Sequence, residues 1–216
     1  MIEKIALGLL SLAVGVVPTM VLLTTPVLAQ SGVEEKGTQE SLILAQAGTW
    51  ADVTLRLEDL PPGFTAMPPS DVLDFLDPGS LQEIDVENVF GFANDQDFQL
   101  IMGVTTRLET AQQQAEFDEL VGGPEKLKSW SLLGQTNEPP QALNNITNIG
   151  DVAEGVSLKL DLGGTVARVE ILGLRKNQMG AVVFVVYGND ERPLYPIAEI
   201  GRKLVERIPQ VPTGSN

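Results

Sequence analysis

Seven consecutive residues, Ala181-Val182-Val183-Phe184-Val185-Val186-Tyr187, run without a charge or a polar break. Successive side chains of a strand point to opposite faces, so a run that is apolar at every position needs cover on both. This predicts a strand in the middle of a sheet with a packed layer above and below it. The other strand signals have period two. Val156, Leu158, Leu160 and Leu162 alternate with Ser157, Lys159 and Asp161, and Gly163-Gly164 then predicts a two-residue hairpin into a strand over 165–174. Lys176-Asn177-Gln178 turns the chain again, into 181–187. Phe98, Leu100, Met102 and Val104 alternate with Gln99, Ile101, Gly103 and Thr105, which predicts a half-buried strand whose second side is also partly covered. Val89, Phe90 and Phe92 come before it, joined through a hairpin turn at Asn94-Asp95-Gln96-Asp97. Val53, Leu55 and Leu57 around Thr54 and Arg56 predict a first strand.

Helical signals fill the gaps. Thr110 with Gln113 forms a capping box, Phe117, Leu120 and Val121 share a stripe, and Gly122-Gly123 stops the helix. Pro124 opens a second short helix that carries Leu127 and Trp130. Ile197, Ile200, Leu204 and Ile208 keep the helical period near the end, after a loop and cap at Asn189-Asp190-Glu191. Short helical turns over 70–76 and 80–84 flank Asp77-Pro78-Gly79. Strands joined by short turns, with helices between and after them, predict an α+β domain. The expected architecture is a mainly antiparallel sheet of about six strands with helices on both faces, an α/β/α sandwich.

The ends of the 216-residue chain read differently. Lys4 precedes an uncharged apolar stretch over 5–23, and Val27-Leu28-Ala29 offers the residues that a signal peptidase reads. Residues 1–29 are therefore expected to be a cleaved signal peptide, with a retained single-span anchor as the alternative. Residues 30–49 read as a flexible linker, 50–208 as a single α+β domain and 209–216 as a disordered tail. The expected destination lies across the inner membrane: periplasm, thylakoid lumen or the extracellular space.

The chain has no cysteine and no histidine, which excludes Ser-His-Asp and Cys-His catalysis, Cys/His zinc sites, disulfides and an acylated cysteine. Fourteen basic against 29 acidic residues give a net charge of −15, so nucleic acid is not an expected partner, and a membrane is one only through an uncleaved leader. No phosphate-binding glycine loop or nucleophile elbow is present, and no cofactor is expected. Carboxylates are the remaining chemistry. Asp71, Asp74 and Asp77 recur at three-residue spacing and could hold a hard cation or pair an acid with a base. The plainer reading makes Asp71 a helix-start residue, Asp74 a solvated one and Asp77 the opener of a Pro-Gly turn.

A recognition edge is the better candidate for function. Residues 137–148 form a long polar stretch with Pro139-Pro140, Asn137, Asn144 and Asn145, and loops of that length often carry binding. Trp50, at the linker boundary, is a candidate exposed contact. In Asp59-Leu60-Pro61-Pro62-Gly63-Phe64 the glycine suits a type II turn, which leaves Phe64 either dropped onto the core or facing a ligand as a lip.

That hexapeptide resembles a motif of exported bacterial domains. A paired-strand meander ending in Gly180-Ala181-Val182-Val183, then a last helix closing with Leu204-Val205-Glu206-Arg207-Ile208, strengthens the likeness. The combination resembles the PsbP/Mog1/LpqN-type sandwich domains, and Pro26-Val27-Leu28-Ala29-Gln30 is similar to the leader endings of many cyanobacterial exported proteins. The resemblance implies an exported accessory or binding role and carries no catalytic residue with it. The chain departs from lipoprotein members by lacking a lipobox cysteine and from metal-binding members by lacking histidine. The leading expectation is thus a non-catalytic module that binds a protein partner near a membrane. A carboxylate-based hydrolase or divalent-cation protein is the alternative. If the leader is processed, mass spectrometry of the purified protein finds Gln30 at the N-terminus; an intact Met1 end would mean a retained anchor.

Overall fold

The apolar run at 181–187 occupies the centre of a seven-stranded antiparallel sheet. The computed structural model describes residues 52–130, 138–161 and 164–208, all within the compact unit Ala47–Asn216. In chain order the strands are β1 (Thr65–Ala66), β2 (Val86–Asn94), β3 (Gln99–Arg107), β4 (Gln141–Ala142), β5 (Val152–Asp161), β6 (Val166–Lys176) and β7 (Met179–Gly188). Their spatial order is β1-β2-β3-β7-β6-β5-β4, which puts β7 fourth of seven. Every residue of β7 from Met179 to Tyr187 is buried. The sheet exceeds the expected six strands because β1 and β4 are two-residue pieces laid on the outer strands.

Side chains of β7 alternate between two separate cores. Ala181, Val183 and Val185 join Ile101, Leu172 and Leu174 beneath Ile197, Ile200 and Leu204 of α5 (Ile197–Glu206). Val182, Phe184 and Val186 join Met102, Val104, Val169 and Ile171 on the other side. That second core takes in Val72 from α1 (Pro69–Leu73), Phe117 and Val121 from α3 (Ala111–Val121) and Leu127 from α4 (Pro124–Ser129), with Trp130 just beyond α4. The sequence rules for these helices hold in detail. Thr110 accepts from the Gln113 amide at 3.1 Å and Gln113 answers the Thr110 amide at 3.0 Å, while Pro124 is the first residue of α4. Charged clamps tie the layers together. Arg175 on β6 makes a two-point pair with Asp118 on α3 at 2.6 and 2.8 Å. Beside it Asp151 accepts from Lys176 and from the amide of Asn177, each at 2.7 Å, which holds the two-residue β6–β7 turn.

Several expectations need correction. Val53 and Leu55 are buried but form no strand, and Leu57 is exposed in a 3-10 turn at Leu57–Asp59. The reason is that the Val53 carbonyl accepts from side chains, Asn88 Nδ2 at 3.5 Å and Thr105 Oγ1 at 3.3 Å, so the segment lies across the sheet face instead of in it. Four positions, not two, separate the paired Asp161 and Val166 of the β5–β6 hairpin, and Leu162 and Gly163 fall outside the described residues. Helix α2 (Pro78–Gln82) begins inside the segment read as a separator, because Asp77 is its cap and accepts from the Ser80 amide at 2.7 Å. Phe98 is not a strand residue but the last of a four-residue turn between the paired Asn94 and Gln99. The strand that follows it is covered on both faces, the second more fully than the partial cover expected. Helix α5 is preceded by Pro196 with no side-chain cap, so Asn189-Asp190-Glu191 forms only the loop. The leader, linker and tail expected at 1–29, 30–49 and 209–216 lie outside the described residues.

Both helical layers approach the sheet at a glycine. A Cβ at Gly173 would stand 2.5 Å from Val121 Cβ of α3, and one at Gly201 of α5 would stand 2.7 Å from Leu172 Cδ2. Overpacking of this kind costs about 1–3 kcal/mol. Gly173→Ala is therefore expected to lower the thermal midpoint by several degrees, at roughly 2–4 °C per kcal/mol for a domain of this size. Adding Val121→Ala should not return that loss, because alanine keeps the Cβ that stands closest and empties part of a buried site; circular dichroism melting of both variants reads it.

Candidate functional site

The α5 side of the sheet changes character along β6. Leu172 and Leu174 lie under the helix, but Arg168 and Glu170, on the same face two and four residues earlier, are only partly covered. Cross-strand register then assembles a polar surface that no single segment contains. Tyr187 is opposite Arg168, and Arg168 is opposite Lys159. One row along, Glu170 is opposite Ser157, which is opposite Gln141 of β4. The groups bond across the strands: Tyr187 donates to Glu170 Oε1 at 2.8 Å, Arg168 Nη1 donates to Ser157 Oγ at 3.1 Å and Lys159 Nζ reaches Glu138 Oε1 at 2.9 Å.

Burial holds the Glu170 carboxyl above its ordinary value, against the Tyr187 hydroxyl bond and the Arg168 charge, which both favour the ionised form. The Tyr187 hydroxyl is pushed up as well, by burial first and then by the Glu170 charge and hydrogen bond. The depression lined by Glu138, Pro139, Gln141, Ser157, Leu158, Lys159 and Arg168 has a volume of only about 10 Å³. That is room for roughly one water, whereas small-molecule sites run to about 300–1,000 Å³. The arrangement is thus suited to hydrogen-bonding a surface laid against it.

Next to this surface lies the stretch read from the sequence as a recognition edge. It is not one continuous polar loop. Gln141 and Ala142 pair with β5, and Leu143 donates its amide to the Gly155 carbonyl at 2.9 Å. Ile146 and Ile149 are buried in the α5-side core with Leu143 packed against it, while Asn144 and Asn145 stand exposed between them. Apolar anchors at three-residue spacing therefore fix the backbone that presents the asparagines. Asn137 and Trp50 lie outside the described residues.

Phe64 is a correction: it is 6% exposed and belongs to the α5-side core, so it cannot face a ligand as a lip. The three aspartates do not converge on one point. Asp71 accepts from Ser70 Oγ at 3.2 Å, Asp74 closes α1 and Asp77 caps α2. Among the described residues no three acidic side chains are placed to hold a metal ion. A wider, open groove of about 400 Å³ lies between α2 and α3 and is lined by Glu83, Glu116, Glu119, Leu120 and Lys126.

The sequence reading passed over Ser157, Lys159, Arg168, Glu170 and Tyr187. Its one available signal was the pair of charges Arg168 and Glu170 within the apolar run of β6 ahead of Arg175 and Lys176, but register was needed to bring them to Ser157 and Tyr187. No protein-family model matches the chain, and no curated protein matches it in sequence. Among the described residues no helix is long and apolar enough to cross a membrane.

The carboxyls give stability two opposite pH dependences. With its folded pKa raised above 4.5, Glu170 keeps a proton that the unfolded chain has released, so its contribution falls as pH rises through that window. Burial raises the Asp151 carboxyl too, but bonds from Lys176 and the Asn177 amide and the charges of Lys176 and Arg175 outweigh it and leave it below 3.8. Its contribution is present above 3.8 and is lost as pH falls through the lowered value. Glu170→Gln should melt higher than the parent at neutral pH, with the gap closing on acidification toward pH 4.5. Asp151→Asn should melt lower at neutral pH and flatten the fall below pH 3.8. Melting curves across pH check both, and a Glu170→Gln gap that widened on acidification would contradict the assignment.

Proposed function

We propose that the chain is an exported accessory module that binds a protein partner through the β4–β5 edge and carries out no covalent chemistry of its own. In this reading the sheet with its helices is an α/β/α sandwich of the PsbP-like kind, delivered by the leader to the periplasm, the thylakoid lumen or the cell exterior. The observation that carries the proposal is the pinned segment beside the polar surface, with Leu143, Ile146 and Ile149 packed inward and Asn144 and Asn145 directed outward. A recognition segment already fixed in place loses little conformational entropy on binding, which favours affinity from modest contacts. Lys159, Arg168 and Glu170, partly exposed on rigid strands next to it, supply donors and an acceptor, with the buried Ser157 holding Arg168 in place.

The test is crosslinked affinity capture from the exported fraction, with the parent and with Asn144→Lys/Asn145→Lys. A defined partner is expected with the parent, and recovery should fall by about tenfold or more in the double variant, the effect of losing roughly 1.4 kcal/mol at the contact. Equal recovery with both proteins would remove the edge from the contact. Recovery of nothing above background would remove the binding role.

A further inference from the structure

We propose a second contact surface at one end of the sheet, where Phe98, Val166 and Leu194 form an apolar tip that fits a partner protein bearing an apolar socket ringed by lysine or arginine. Its apolar residues lie off the β4–β5 edge, and it stands independently of that reading. Five large apolar side chains are exposed among the described residues, and three of them are these, at 45%, 44% and 46%.

The topology brings them together. Phe98 ends the β2–β3 turn and Val166 opens β6, so they flank the end of β7 on its two sides, two strand spacings or about 10 Å apart. Leu194 comes from the β7–α5 loop and is fixed there by Gln99, whose Oε1 accepts from the Leu194 amide at 2.7 Å and whose Nε2 donates to the Tyr195 carbonyl at 3.1 Å. Gln99 is itself buried, so it acts as a rigid peg.

Phe98 is the decisive residue. Its φ of 42° lies in the left-handed region, where glycine and asparagine are usual and a bulky side chain is strained. Asn94 forms the turn by itself, accepting from the Gln96 amide at 3.0 Å and the Asp97 amide at 3.1 Å. The strained ring is thus not needed to close the turn, and nearly half of its surface stays in water. An exposed aromatic projected from a hydrogen-bonded turn has the character of a binding anchor.

Charge selects the occupant. Exposed Asp95 and Asp97 share the turn of Phe98, Asp161 pairs with Val166, and exposed Asp190 and Glu191 lie in the loop of Leu194, against Arg192 of that loop and the part-exposed Arg168 as the basic residues nearby. An anionic bilayer is repelled by such a rim, and a second copy of the chain, which is −15 overall, brings the same rim against it. A protein surface with basic residues around an apolar depression matches both features.

The probe is a short amphipathic peptide of leucine and lysine, titrated into the isotopically labelled protein while amide chemical shifts are followed. Saturable shifts are expected over 95–99, 164–167 and 188–195, weakening as salt rises. Phe98→Ser/Leu194→Ser should raise the dissociation constant at least about tenfold. Phe98→Asn, which suits the backbone of the turn, provides a folded variant that should lose affinity in the same direction. A matching leucine–glutamate peptide should give no saturable shift. The proposal is overturned if the shifts spread over the acidic surface and survive the substitutions, if phosphatidylcholine vesicles perturb these amides, or if dilution of the protein alone does so. Shifts at 141–149 would speak only to the β4–β5 edge, so each reading fails by itself.

Discussion

The structure depends on desolvating β7 on both of its faces. A strand built from Val182, Val183, Phe184, Val185 and Val186 has no side that tolerates water, and burying apolar surface contributes about 25 cal/mol per Å². No disulfide is possible in this chain, so the two apolar layers must supply the stability that a crosslink gives many small domains. α5 closes one side; α1, α3 and α4 close the other. Gly173 and Gly201 let α3 and α5 settle close to the strands where a side chain would hold them off. Antiparallel pairing throughout keeps most connections short, and the longer ones hold the helices.

The same constraint explains where polarity collects. α5 covers Leu172 and Leu174, and where its cover ends the sheet face presents Arg168 and Glu170, bonded to the buried Ser157 and Tyr187. These groups are partly desolvated, so each needs a partner, and they find it across strands. Arg207 at the end of α5 meets the same demand differently, reaching both oxygens of Asp59 at 2.7 Å and so fastening the helix to the 3-10 turn. Burial raises the Asp59 carboxyl, but the Arg207 bond, the Arg56 amide and the charges of Arg207 and Lys203 together bring it below its ordinary value.

Local signals in the sequence were reliable where short-range physics decides the outcome. The Thr110–Gln113 capping box, Pro124 at a helix start, the α5 stripe and the doubly apolar β7 can all be read without tertiary knowledge. Failures came where a distant group overrode local preference. Val53 and Leu55 alternate like a strand, yet Asn88 and Thr105 take the Val53 carbonyl. The stretch around Asn144 looked polar because its anchors are spaced by three and find their core only against β5 and α5. Phe64 and Phe98 look alike in sequence, but one is buried and the other stands at a turn tip.

By itself the sequence determined the class of the fold, the central strand, most helix ends and the reactions that a chain without imidazole or thiol cannot perform. Those follow from periodicity, capping chemistry and composition, which act over a few residues or none. Only the tertiary structure decided strand order, register and the neighbours of each polar group. Glu170 meets Tyr187 and Ser157 through the register of the consecutive strands β5, β6 and β7, and Phe98 shares an end of the sheet with Val166 and Leu194 because β3, distant in sequence, pairs with β7. A shift by one residue would turn every one of these side chains to the opposite face.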